Sequence, residues 1–225
     1  MADGTIKIRI DVDGKQLELT NKDLDQVEKR SHKAGSGIKK LAASLGLVAV
    51  GAMAFKTLRG ALDDAITRFD TLNKFPKVLQ ALGVSAEDSE RAMAKLSDGI
   101  DGLPTKLDDI AHVAQRMYTS FGDMDKATDS ALALNNALLG SGASADQARR
   151  GTEMYLKMLQ TGRIDMTTWN TLSETMDVGL VKVAESFGFA GKTAKDDLYS
   201  ALKDGTIALD EFSDARIEVG TGTGM

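Results

Sequence analysis

Cysteine is absent from this 225-residue chain, which excludes disulfides, a thiol nucleophile and a thiolate metal site. Proline occurs twice and aromatic residues make up 5%. A β sandwich or barrel needs aromatic and β-branched residues with frequent turn punctuation, so this scarcity argues against one. Histidine also occurs only twice. His32 and His112 lie far apart in sequence, so neither a metal site nor a Ser-His-Asp triad is expected. A basic excess is missing too, since the formal net charge is −5. The one dense basic stretch, Lys29 to Lys40, is short and broken by glycines, so no direct nucleic-acid binding is expected. The chain opens Met-Ala-Asp-Gly, without the basic-then-apolar pattern of a signal sequence, and synthesis in the cytosol is the expectation.

What is present points to helix. Ala, Leu, Lys and Met are good helix formers, and they are abundant throughout. The fold class expected is mainly α: an N-terminal β-hairpin, a long apolar helix or coiled-coil arm, then a compact multi-helix domain. The boundaries read as 1–20 for the hairpin, 21–72 for the arm, 75–215 for the helical domain and 216–225 for a flexible tail or truncation point.

Ile6, Ile8, Ile10 and Val12 alternate with Lys7, Arg9 and Asp11, the period of a half-buried strand. Asp13-Gly14 supplies a turn signal, and Leu17 and Leu19 read as the returning strand. A lone hairpin is marginal in water, so it is expected to pair with another copy or with a partner's edge.

Thr20-Asn21-Lys22-Asp23 is a capping-box variant that opens the arm. Leu24, Val27, Ser31, Ala34, Ile38, Leu41, Leu45, Val48, Ala52 and Phe55 then follow at alternating spacings of three and four, a heptad seam. Gly35-Ser36-Gly37 interrupts it. Leu24, Val27, Ile38, Leu41, Leu45, Val48 and Phe55 are the candidate interaction residues. The stretch from Leu41 to Phe55 carries no charge but is shorter than the roughly 20 apolar residues of a membrane span. It reads as a buried or self-associating helix; the alternative is a toxin-like helical protein inserting through residues 38–58.

From Phe75 onward the pattern is of short amphipathic helices. Pro76 suits a first helical turn. Ser85 with Asp88, Thr105 with Asp108, Ser144 with Gln147 and Thr193 with Asp196 read as caps. Apolar stripes run through Met93, Leu96 and Ile100; through Leu107, Ile110, Ala114, Tyr118 and Phe121; through Ala127, Ala131, Leu134 and Leu138; and through Ala148, Tyr155, Met158 and Leu159. Expected stops are Gly99, Gly122, Gly140, Gly162, Gly188 and Gly205. Six to eight helices follow from this count.

One local repeat stands out. Gly162-Arg-Ile-Asp-Met-Thr-Thr-Trp169 parallels Gly205-Thr-Ile-Ala-Leu-Asp-Glu-Phe212. In the first copy Gly162 ends a helix, Asp165 caps the next, and Ile164 and Trp169 occupy the two positions of a hydrophobic staple. The second copy lacks a good cap at Ala208, so its helix is expected to start nearer Asp210. Both aromatics read as packing residues.

Three patterns imitate chemistry. Ser186-Phe-Gly-Phe-Ala-Gly-Lys-Thr193 matches a phosphate-binding loop except for its first glycine, but a helical stripe (Leu180, Val183, Ala184, Phe187) precedes it where a strand is required. Aligning Gly205 on the glycine of a calcium-binding EF-hand loop puts Ser200 and Leu202 where carboxylates belong. The acid pairs Asp63-Asp64, Asp108-Asp109 and Asp196-Asp197 are helix neighbours diverging by about 100°, so no pair can work one bond jointly. No catalytic, cofactor-binding or metal residue is expected, and the chain reads as a non-enzyme.

The order of a short hairpin, a Gly/Ala-rich apolar helix and a helical domain containing residues 162–174, 179–188 and 205–212 resembles the N-terminal region of tape measure proteins from long-tailed bacteriophages or their prophages. The resemblance covers essentially the whole chain, and 162–212 is its most specific part. It implies a mostly helical structural protein that sets tail length during assembly, fills the tail tube lumen and leaves it during DNA ejection. The implied partners are further copies of itself, tail assembly chaperones, the tail tube protein and tail-tip proteins, with host-membrane contact during ejection. The implied location is the bacterial host cytoplasm during assembly and then the virion tail. Members of the family run to many hundreds of residues, so 225 read as part of a longer protein; wholly helical, they would span only about 340 Å. A helical adaptor unrelated to phage is the other reading.

Overall fold

The computed structural model describes residues 67–68 and 70–221, and the backbone of residues 7–12 and 15–20. The chain divides into two compact units, Met1–Phe75 and Pro76–Met225. In the first, β1 (Lys7–Val12) pairs antiparallel with β2 (Lys15–Thr20), and Ile8 stands opposite Leu19 and Ile10 opposite Leu17. The helical run α1 spans residues 70–81.

The rest is mainly helical: α2 (Ala86–Gly99), α3 (Leu107–Phe121), α4 (Met124–Gly140), α5 (Ala145–Thr161), α6 (Met166–Thr175), α7 (Asp177–Ser186), α8 (Ala194–Lys203) and α9 (Leu209–Thr221). Helix α4 is the hub, touching α2, α3, α5, α7 and α9. Its sequence stripe of Ala127, Ala131, Leu134 and Leu138 is buried as expected, but so are Thr128, Ser130, Leu132 and Ala133. A helix enclosed on most sides must be apolar or small around most of its circumference, and this one is. Of its buried hydroxyls, that of Thr128 is spent locally, Oγ1 donating to the Met124 carbonyl at 2.7 Å.

Small residues let the neighbours approach α4 closely. A Cβ on Gly220 of α9 would lie 2.6 Å from the Ala133 Cβ, and one on Gly179 of α7 would lie 2.9 Å from the Ala137 Cβ. Gly99 meets Leu132 in the same way, at 2.7 Å. Gly99 and Gly140 are therefore not stops of the left-handed kind that the sequence implied. They remain helical, and Gly102 and Gly142 take the positive φ instead. Gly122, Gly162, Gly188 and Gly205 do adopt positive φ where their helices end.

Helix starts differ in detail from expectation. Ser85 caps Asp88 N, and Ser144 with Gln147 forms a complete capping box. Thr105 does not cap α3. That helix starts one residue later than a Thr105 cap requires, at Leu107, and the hydroxyl donates to Asn135 Oδ1 across the packing at 2.7 Å. Thr193 precedes α8 but already has right-handed helical dihedrals, not the extended geometry that lets a side chain cap. Pro76 does not sit in a first turn: helix already occupies 70–75, so its missing N–H removes one internal hydrogen bond instead. Residues 216–221 are not a tail but the end of α9, where Arg216 is 2% exposed.

Candidate functional site

The seven candidate interaction residues, Leu24, Val27, Ile38, Leu41, Leu45, Val48 and Phe55, lie outside the described residues, as do His32, Asp63, Asp64 and the stretch 38–58. Among the described residues no helix is long and apolar enough to cross a membrane, and no group of three or more His, Asp or Glu side chains converges as metal ligands would.

The look-alike motifs resolve by their surroundings. Helix α7 leads into 186–193, and Lys192 in the loop is exposed. The next helix carries Asp196 and Asp197 in its first turn, so the positive end of its dipole already faces carboxylates and would not welcome a phosphate. Ser200 and Leu202 both belong to α8, with Leu202 buried, so the EF-hand register falls on helix.

The repeat is realised twice. Asp165 accepts from Thr168 N at 2.7 Å, and this bond, with the Lys157 ammonium at 3.5 Å, holds the carboxyl below its usual range. Ile164 and Trp169 are both buried, and Trp169 stacks tilted on Tyr199 with ring centroids 5.6 Å apart. In the second copy Ile207 and Phe212 are buried equivalently. The helix there begins at Leu209, one residue earlier than expected. Glu211 Oε2 accepts from the Ala208 backbone N–H at 2.8 Å, which supplies half a capping box without a capping side chain.

A groove of about 520 Å³ opens between α3 and α5 over α4. Ile110, Val113, Leu134, Leu138 and Leu156 form its apolar floor, while Lys106, His112, Arg116 and Arg149 stand on its walls. Arg149 is engaged by Glu153 at 3.3 Å. The Nδ2 of Asn135, which also lines the groove, is buried without a hydrogen-bond partner.

The least expected site is a polar pocket between α4, α5 and α9. Arg216 Nη2 donates to the Ser130 carbonyl at 2.8 Å and to the Ser130 hydroxyl at 2.5 Å. Its guanidinium lies 4.2 Å from the centroid of the Tyr155 ring, and the Tyr155 hydroxyl bonds Ser213 at 3.0 Å. Nε and Nη1 of Arg216 are buried with no hydrogen-bond partner among the described residues. Among the described residues no carboxylate reaches it. The sequence signal was available: Arg216 falls four residues after Phe212, on the same helix face.

Ion pairs tie the outer helices to α4. Arg91 meets Asp88 and Asp125, and these carboxylates hold it above its ordinary value. Lys95 meets Asp129 at 2.5 Å. Lys126 meets Asp214 at 2.7 Å and Asp210 at 3.4 Å. Burial alone would lower Lys126, yet these two carboxylates raise it.

The assembled picture is a unit of helices packed around α4 and tied to it by ion pairs. No curated protein and no solved structure matches the chain. A family model described as tape measure protein matches residues 63–223, well over half of the chain and all of the helical unit but its end. The chain therefore belongs to the tape measure protein family, and it is a region of a structural, assembly-stage component of the phage tail.

Proposed function

We propose that this chain acts as the N-terminal part of a tape measure protein that sets tail length and lies in the tube lumen, and that it is not catalytic. The match over residues 63–223 carries this reading. It is supported by a folded unit built from helix packing and ion pairs. In this reading the heptad seam at 24–55 forms a coiled-coil arm for self-association or for cover by a tail assembly chaperone, because an uncharged apolar stretch such as 41–55 needs cover. The hairpin pairs with another copy of the chain or with a partner's edge, and assembly takes place in the host cytoplasm.

The test is the oligomeric mass of the full chain by light scattering, with and without Leu45→Lys and Val48→Asp. An oligomer that both substitutions reduce to monomer supports the arm reading. An unchanged mass removes it. Introducing the same substitutions into the phage gene and imaging tails by electron microscopy extends the test to assembly, where missing or misassembled tails are expected.

A further inference from the structure

Helix α9 closes the unit by lying on α4 and α7, and what it buries is unusual. Its deeply buried side chains are Phe212, Ser213 and Arg216. Only the first is apolar. A guanidinium stays charged at any physiological pH, so Arg216 enters the interior as a cation. There it exchanges its water for Ser130 and the face of Tyr155, while Nε and Nη1 are buried with no protein acceptor among the described residues. Asp210 and Asp214 of the same helix do not help. Their side chains are 77% and 57% exposed and turned to Lys126. Leaving buried donors unmet costs the docked state, and undocking returns them to water.

We infer that α9 is a detachable strap, and that the buried Arg216 keeps its docking weak enough for it to open separately from the rest of the unit. Two further features agree. The strap starts at Leu209, and Ala208 before it offers no capping side chain, so its first turn is weakly held. Thirteen residues are too few for an isolated helix to persist in water, so an undocked α9 unravels instead of swinging as a rod. Phe212, the Lys126 ion pairs and the close Gly220–Ala133 approach keep the closed form dominant. Opening uncovers Ser130 and Ala133 of α4 and the ring of Tyr155, a face of small residues otherwise hidden.

Two measurements on the full chain test this. Hydrogen exchange should show α9 amides exchanging about tenfold or more faster than those of the α4 centre, and Arg216→Met should slow α9 by about tenfold, since an apolar replacement of a buried charge is commonly stabilising. Because the chain has no cysteine, Ser130→Cys gives a single reporter, which keeps the backbone carbonyl that Arg216 donates to and exchanges the hydroxyl acceptor for a thiol. Its thiol should react with a disulfide reagent, without denaturant, much faster than that of an Ala114→Cys control on α3, which is equally buried. The inference is overturned if α9 and α4 exchange alike, if Arg216→Met speeds α9 exchange or abolishes folding, or if both thiols react at the same slow rate.

Discussion

A glycine in this chain means different things at different sites, and one substitution separates them. Gly140 ends α4 as a helical residue, and an added Cβ would meet nothing within 4 Å. Gly140→Ala should raise stability by about 0.5–1 kcal/mol, because the unfolded chain loses more freedom with glycine. Gly220→Ala would drive a methyl to 2.6 Å from the Ala133 Cβ and 2.8 Å from its Cα, which is backbone and cannot step aside. It should cost about 1–3 kcal/mol by overpacking. Urea denaturation of both variants checks the opposite signs. Asp165 gives a pH-dependent counterpart. Its folded-state pKa is lowered, first by the Thr168 backbone N–H, so its stabilising effect is present above the ordinary carboxylate range and is lost as pH falls through the folded value. The urea midpoint of Asp165→Ala should therefore lie below that of the unmodified chain at pH 6.5, and the gap should narrow progressively as pH falls below the ordinary carboxylate range.

At the scale of elements, the two copies of the Gly-x-Ile motif form an internal comparison. The first start has an Asp cap and the second has only the reciprocal half supplied by Glu211. Ala208 is exposed, so Ala208→Asp adds the missing acceptor without disturbing packing. It should stabilise the start of α9 by about 0.5–2 kcal/mol and slow its amide exchange. Much at this scale was legible in sequence. The staple pairs, the Ser85 and Ser144 caps and the left-handed glycines each rest on interactions within a few residues, which local spacing encodes. What was not legible depends on neighbours distant in the chain. Thr105 is drawn from capping to Asn135, thirty residues on, and the second buried side of α4 shows only when α2, α7 and α9 surround it. Arg216 read as the first residue of a flexible tail or truncation point because its partners, Ser130 and Tyr155, lie more than sixty residues upstream. The candidate interaction seam was read from period alone, and its residues lie outside those described.

At the scale of the molecule, folding and measuring length make opposite demands. A ruler uses its residues fully extended along one axis, and as one continuous helix 225 residues would reach about 340 Å. The unit Pro76–Met225 does the reverse, folding its helices back around α4. It also carries its own core, in which Leu79, Leu96, Met117, Leu134, Tyr155, Leu156, Met158 and Phe212 are all fully buried. Such a unit contributes the width of a domain to any length it occupies, which suits a fixed end or docking piece better than the graduated part of a ruler. Small-angle scattering of residues 76–225 decides between the two. A folded unit of about 150 residues should have a radius of gyration of about 15 Å. A continuous helix of the same residues would be about 225 Å long, with a radius several times larger. The smaller value would place length measurement in other parts of the protein, whereas the larger would make these residues part of the ruler and remove the packing around α4 on which the strap and the glycine predictions both depend.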